Sequence, residues 1–224
     1  MNDNKTAIIF GSTGLIGNCL VETLLHDDNY LKIHLFIRKP IEINHSKIEQ
    51  HIFDFNHPEK SADHFSADEI FICLGTTIKK AGSVAEVERI DRDYPIQIAE
   101  IAYKAGVKSI AIVSSSGANA KSSNYYTRVK GEMEQGILNL NFEKTVIVRP
   151  SLLFGKRSEF RLGELIGKGL MQVLSFLFIG KIKKYKGIHA RTVAKAMIEL
   201  IKSPSNQKIF ESDLLQKYKK QRPG

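Results

Sequence analysis

Tyr126 and Lys130 stand four residues apart in a Tyr-x-x-x-Lys pattern, a spacing that sets both side chains on one face of a helix. A tyrosine with its ordinary pKa of about 10 exchanges protons poorly at neutral pH, and a neighbouring ammonium lowers that value by favouring the phenolate. Ser114, Ser115 and Ser116 lie one turn upstream. A hydroxyl there is placed to hold a substrate carbonyl while Tyr126 gives or takes its proton. Tyr125 is five residues from Lys130 and off that face.

A second constellation, Gly11-Ser12-Thr13-Gly14-Leu15-Ile16-Gly17, falls where an apolar run gives way to a helical pattern. Gly11 allows a tight turn, Gly14 lets the backbone approach a pyrophosphate, and Gly17 permits close packing of helix on strand. The helix amino terminus favours the phosphate charge. In such folds an acidic residue at the end of the second strand accepts from the ribose 2′-hydroxyl of NAD. Here that strand ends Phe36-Ile37-Arg38-Lys39. Two cations and no carboxylate suit a 2′-phosphate, which an arginine meets with two parallel hydrogen bonds. NADP(H) is the expected cofactor.

Apolar runs and breakers predict strands at residues 6–10, 32–37, 48–55, 69–74, 109–113 and 145–148. Helical spacing appears at 15–25, at 83–104 closed by Gly106, at 125–140 and at 192–201. This alternation predicts an α/β, Rossmann-like, doubly wound parallel sheet. At roughly 150 residues per domain, the 224 residues make one domain, with a dinucleotide-binding core at 1–150. The less periodic stretch 151–189 reads as a small substrate-covering elaboration beyond the sixth strand, where ligands of such sheets bind.

Composition narrows the classes further. With 42% hydrophobic and 25% charged residues, disordered, collagenous and coiled-coil chains are excluded. Two cysteines, Cys19 and Cys73, support neither a disulfide framework nor a cysteine zinc site. The seven histidines show no metal-ligand spacing with acidic partners along the chain, and no metal is expected. Net charge is 33 − 24 = +9; residues 1–180 balance at 21 basic and 21 acidic, while 181–224 hold 12 basic and 3 acidic. That basic block supports only weak, salt-sensitive association with nucleic acid, and no specific nucleic-acid motif accompanies it. The apolar run 170–179 is about half the 20 residues a membrane span needs and precedes clustered lysines up to Lys186. Weak contact of 170–186 with a membrane surface, a greasy substrate pocket, and packing on the sheet are all open readings. The first residues lack the features of a signal peptide, so a cytoplasmic location is expected.

The order Gly-x-x-Gly-x-x-Gly, serine cluster, Tyr-x-x-x-Lys resembles an atypical short-chain dehydrogenase/reductase. Cys73 to Thr77 with Lys80-Ala81-Gly82, Asp91 to Tyr94, Ser114 to Ala120 and Lys130-Gly131-Glu132 are similar to the Tat-interacting oxidoreductase-like subgroup and its bacterial relatives. The resemblance spans about residues 5–200. It implies that Asp54 and Phe55 contact the adenine, that Leu74, Gly75 and Thr76 pass the nicotinamide ribose and phosphates, and that Arg149, Pro150 and Ser151 approach the nicotinamide. It makes Ser115 the first choice for the catalytic hydroxyl and Ser116 the second, with Lys130 also orienting the ribose. The implied function is an NADP(H)-dependent oxidoreductase acting on a small carbonyl or alcohol. A nucleotide-sugar epimerase-like isomerase and a non-catalytic NADP(H)-sensing module are the alternatives, and the oligomeric state is open.

Overall fold

A computed structural model describes residues 4–155 and 187–219. The apolar runs form a seven-stranded, all-parallel sheet from β1 (Lys5–Phe10), β2 (Tyr30–Ile37), β3 (Ile48–Ile52), β4 (Glu69–Ile72), β5 (Ser109–Val113), β6 (Lys144–Arg149) and, late in the chain, β9 (Ile209–Glu211). The strand order is β3-β2-β1-β4-β5-β6-β9, as the expected doubly wound fold requires. The order reverses between β1 and β4, so the crevice for a ligand opens at their carboxyl ends.

Strands covered on both faces read as unbroken apolar runs, and Ala7 to Phe10 and Ile70 to Ile72 are wholly buried. On one face α1 (Leu15–Leu25) and α6 (Ala190–Lys202) cover a core that includes Leu20, Leu24, Val146 and Met197. On the other, α4 (Tyr94–Lys104) and α5 (Tyr125–Asn139) cover Ile98, Met133 and a cluster of phenylalanines. Phe10 stacks on Phe36 at 4.8 Å and meets Phe53 edge-on at 4.9 Å, arrangements that suit the aromatic quadrupole.

The expected single helix over 83–104 is three pieces. Ser83 caps α3 (Val84–Glu88) by accepting from the Glu86 amide at 3.1 Å, a wide π turn follows at Arg89–Asp93, and α4 begins at Tyr94. Pro95 has no N–H to offer the carbonyl of residue 91, and the Tyr94 amide reaches back to Arg89 instead. The extra residue in the turn carries Asp91 inward, where it is 1% exposed. A four-residue helix, α2 (Ile78–Ala81), precedes this region. The third strand ends at Ile52, and a 3₁₀ segment (Pro58–His64) follows it.

Past β6, a parallel pair of two-residue strands, β7 (Leu153–Phe154) and β8 (Ile188–His189), brackets the expected covering segment. Most of that segment, with the 170–186 stretch considered for membrane contact, lies outside the described residues. Among the described residues no helix is long and apolar enough to cross a membrane. A short helix, α7 (Ser212–Leu215), closes the chain after β9.

Strand register adds a grouping that the spacing of histidines along the chain does not show: β2 and β3 pair His34 with Glu49 and place His51 two residues on along the same face. Such a grouping across strands is invisible to spacing within a chain. Burial holds both imidazoles below the usual histidine range, against the raising effect of Glu49.

α5 is seated by a close approach at Gly131, where an added Cβ would lie 2.1 Å from the Ala120 amide nitrogen. Backbone cannot yield as a side-chain tip can. Gly131→Ala is therefore expected to cost at least about 1–3 kcal/mol, read as a lowered urea midpoint with an unchanged slope. An unchanged midpoint would show that the 117–120 loop does not hold the helix.

Candidate active site

The glycine turn forms the floor of the crevice. Gly11 has φ +78°, in the left-handed region, and an added Cβ there would meet the Cys73 carbonyl oxygen at 2.5 Å. At Gly17 an added Cβ would lie 2.1 Å from the Gly11 oxygen, so the first turn of α1 packs directly on the loop. Gly14 is tight as well, 3.1 Å from that oxygen, and its amide donates to it at 2.9 Å. No side chain caps α1 and no acidic residue sits in its first turn. The amides of Leu15 and Ile16 thus open a helix end that favours an anion. Ser12 Oγ is buried without a hydrogen-bond partner among the described residues, a costly state that a ligand oxygen would relieve.

Beside this turn runs the loop after β4, tied by the Cys73 amide donating to the Phe10 carbonyl at 2.9 Å. Leu74 is half-buried, Gly75 is exposed, and the Thr76 amide donates to Asp91 Oδ2 at 3.2 Å. Lys130 Nζ stands 2.6 Å from Asp91 Oδ1, with the side chains 4% and 1% exposed. Burial alone would lower the Lys130 pKa; the Asp91 carboxylate, with Tyr126 and Glu134, outweighs it and raises the value. The ammonium therefore stays charged within the protein, and two of its three N–H groups remain beyond the Asp91 contact.

α5 presents Tyr126, Lys130 and Glu134 at successive four-residue intervals. Asn124 caps the helix by accepting from the Thr127 amide at 3.2 Å. Tyr125 is turned away, donating to the Val84 carbonyl at 2.7 Å. Tyr126 is half-buried, and its hydroxyl has no hydrogen-bond partner among the described residues. The serines separate in the same way. Ser114 is buried and donates to Glu134 Oε1 at 2.5 Å, Ser116 donates to the Arg149 carbonyl at 3.1 Å, and Ser115 is half-buried with its hydroxyl unpaired among the described residues.

Arg149 does not turn its guanidinium into the crevice. It meets Glu134 at 2.8 and 2.5 Å and Glu211 at 2.9 Å, a two-pronged pair that joins α5, β6 and β9. Pro150 and Ser151 continue the segment; the Pro150 carbonyl accepts from the Ser116 amide at 3.1 Å, and Ser151 Oγ lies 2.9 Å from Ser212 Oγ. Arg38 and Lys39 are exposed at the end of β2 and form no ion pair among the described residues. Asp54 is exposed, its carboxylate accepting from the Asn56 amide at 2.9 Å, while Phe55 packs on Tyr94 at 4.8 Å. The sequence alone assigns no role to Asp91 or Glu134. The interval from Lys130 to Glu134 was a usable signal; Asp91 stood in a stretch quoted for resemblance alone.

The family described as NAD(P)H-binding matches residues 11–204, and the chain belongs to it. Among curated relatives, the rat Protein HTATIP2 is 32% identical over 207 residues, covering 91% of this chain and 84% of that protein. Protein FMP52, mitochondrial, of Coccidioides immitis is 38% identical over 173 residues, covering 71% and 70%. These bear out the resemblance to the Tat-interacting group. Of solved structures, MoeE5 in complex with UDP-glucose and NAD superposes with a TM-score of 0.66 at 17% identity, covering 91% of this chain and 73% of that one. The Helicobacter pylori ADP-L-glycero-D-manno-heptose-6-epimerase gives 0.67 at 16%, covering 93% and 76%. The shared fold is the Rossmann-like sheet. The cytoplasmic expectation is overturned, since several fungal relatives are named as mitochondrial.

Removing one member of the buried Glu134–Arg149 pair leaves a charge short of its partner, a change that typically costs about 3–5 kcal/mol. Glu134→Ala is expected to lose stability on that scale in urea unfolding, tempered by the remaining Glu211 contact. A loss below about 1 kcal/mol would mean that the clamp is only a solvated surface pair.

Proposed function

We propose that this member of the NAD(P)H-binding family is an NADP(H)-dependent oxidoreductase that interconverts a small carbonyl and its alcohol. One observation carries the reading most directly. Of the hydroxyls at the serine cluster and the start of α5, Ser115 and Tyr126 have no protein partner among the described residues, while Ser114, Ser116 and Tyr125 do. Both belong to the pattern that suits proton transfer to a carbonyl oxygen.

The residues present fit a dinucleotide. The turn has no room for a side chain at Gly11 or Gly17 and little at Gly14, and Ser12 Oγ waits for a partner. With Thr13, Leu15 and Ile16 these residues would hold the pyrophosphate; Leu74, Gly75 and Thr76 would line its other side. Asp54 and Phe55 would meet the adenine. Arg38 and Lys39 would take a 2′-phosphate, and the segment Arg149-Pro150-Ser151 would approach the nicotinamide with its backbone and Ser151, since the Arg149 side chain is engaged elsewhere. When bound, the nicotinamide supplies or accepts the hydride.

The protein's own groups manage the oxygen. In the reducing direction Ser115 would donate a hydrogen bond to the carbonyl oxygen and Tyr126 would deliver its proton to that oxygen, leaving the phenolate. Lys130, held charged by Asp91, stabilises that phenolate and offers its remaining N–H groups to the ribose. The proton returns to Tyr126 from solvent. In the oxidising direction each transfer reverses.

Two measurements test this reading. Calorimetric titration should show NADPH binding more tightly than NADH by at least about tenfold, since each charge-assisted contact is worth about 1.5–3 kcal/mol. Arg38→Ala should erase most of that preference, and equal affinities in the parent would refute it. Tyr126→Phe should leave NADPH affinity nearly unchanged while lowering turnover of a generic quinone or aldehyde by about 10² to 10⁴. Turnover equal to the parent's would refute Tyr126 as the proton donor.

A further inference from the structure

At the outer edge of the sheet, on β2 and β3, three side chains converge that the proposed reaction does not use. His34 on β2 and His51 on β3 share a hydrogen bond between Nδ1 and Nε2 at 2.8 Å, which an ion between the rings would replace, and Glu49 lies beside both, its Oε2 3.8 Å from His34 Nδ1 and its Oε1 3.6 Å from His51 Nε2. All the candidate ligand atoms lie within 4.8 Å of one another. The two histidine side chains are 16% and 9% exposed, and Glu49 is 48% exposed. One flank is thus closed by protein and the other open to solvent.

From this geometry we infer that His34, Glu49 and His51 form a binding site for a divalent first-row transition metal ion, with zinc as the reference case, and water completing the shell. A tetrahedral ion with bonds of about 2.0–2.1 Å to nitrogen and oxygen sets its ligand atoms about 3.3 Å apart, by the tetrahedral angle alone. The two nitrogens lie closer than that and a single Glu49 oxygen lies farther out, within 4.8 Å, so the ion is accommodated by parting the imidazoles slightly and rotating the half-exposed Glu49 side chain to bring one oxygen toward both. Two imidazoles and one carboxylate match the ligand preference of such metals and not of magnesium or calcium, which take oxygen.

The surroundings support the placement. Parallel pairing fixes His34 opposite Glu49 and Phe36 opposite His51, so the three ligands are held by backbone register. His51 stacks on Phe36 at 4.9 Å and on His64 at 4.7 Å, which sets its ring plane. Lys32 is the competing cation, 3.9 Å from Glu49 Oε2, but both side chains are about half exposed, and such a pair contributes little. β3 is the edge strand of the sheet and leads into Asp54 and Phe55. An ion bridging β2 and β3 would staple an edge that otherwise has only one hydrogen-bonded neighbour.

The full chain, stripped of metal with a chelator that is then removed, is titrated with zinc chloride by calorimetry and with cobalt(II) by visible absorption. The expected result is one site per chain and the intense d–d bands of a four-coordinate cobalt centre. His34→Gln/His51→Gln should weaken zinc binding by at least the roughly 10- to 100-fold seen for loss of supporting groups, and the exposed Glu49→Gln should weaken it in the same direction. His57→Gln, at an unrelated exposed pair with Glu59, should change nothing. Should the double variant fail to fold, Glu49→Gln alone decides. Absence of binding, weak octahedral cobalt bands, or affinity unaltered in the His34, His51 and Glu49 variants overturns the assignment. NADPH binding is read in parallel, and its presence or absence bears only on the crevice.

Discussion

The buried contact between Lys130 and Asp91 organises the candidate site. Taking an ammonium and a carboxylate out of water costs several kcal/mol per ion, and their attraction repays this only when the geometry is close and the remaining polar atoms are satisfied. At 2.6 Å, with Asp91 Oδ2 also accepting from the Thr76 amide, the geometry is close and the carboxylate is satisfied, while the Lys130 ammonium keeps N–H groups beyond this contact. The pair ties three elements at the mouth of the crevice: the face of α5 that carries Tyr126 and Lys130, the π turn before α4, and the loop after β4. The π turn itself follows from Pro95, whose missing N–H leaves the helix free to widen and carry Asp91 inward.

A second buried charge cluster works beside it without joining the chemistry. Glu134 receives Ser114 and two prongs of Arg149, and Arg149 extends to Glu211. The clamp fixes the ends of β5 and β6 relative to α5, so that Ser115, next to Ser114, is held while its own hydroxyl is left without a protein partner among the described residues. Commitment of neighbouring groups leaves Ser115 as the hydroxyl open to a ligand among the described residues of that cluster. The glycine turn obeys the same logic, since Gly11 and Gly17 are packed against backbone and leave Ser12 Oγ and the helix end for a ligand.

Much of this was legible in the sequence because it is local. The strand-turn-helix around residues 11–17, the cations after β2 and the Tyr126–Lys130 interval each depend on a few consecutive residues, and six of the seven sheet strands fall within stretches read as strands, five of them as apolar runs. What escaped is non-local. The partnership of Asp91 with Lys130, 39 positions away, needs a π turn that one proline induces. The guanidinium of Arg149 is claimed by Glu211 through a strand only three residues long, too short to read. The histidine and glutamate group exists only through the register of β2 on β3. Location failed for another reason: the reading rested on the lack of signal-peptide features, and relatives named as mitochondrial overturned it.

The central claim is that the Lys130–Asp91 pair is kept for the cofactor and the proton, not for stability. Replacing both partners by apolar groups of similar size removes the desolvation cost along with the attraction and is often neutral for folding. The direct measurement is a calorimetric titration of Asp91→Leu/Lys130→Met with NADPH, after urea unfolding has shown the variant to be folded. The account predicts near-parent stability and NADPH affinity lowered by at least about tenfold, the loss of one charge-assisted contact. A folded double variant that binds NADPH as tightly as the parent would contradict it.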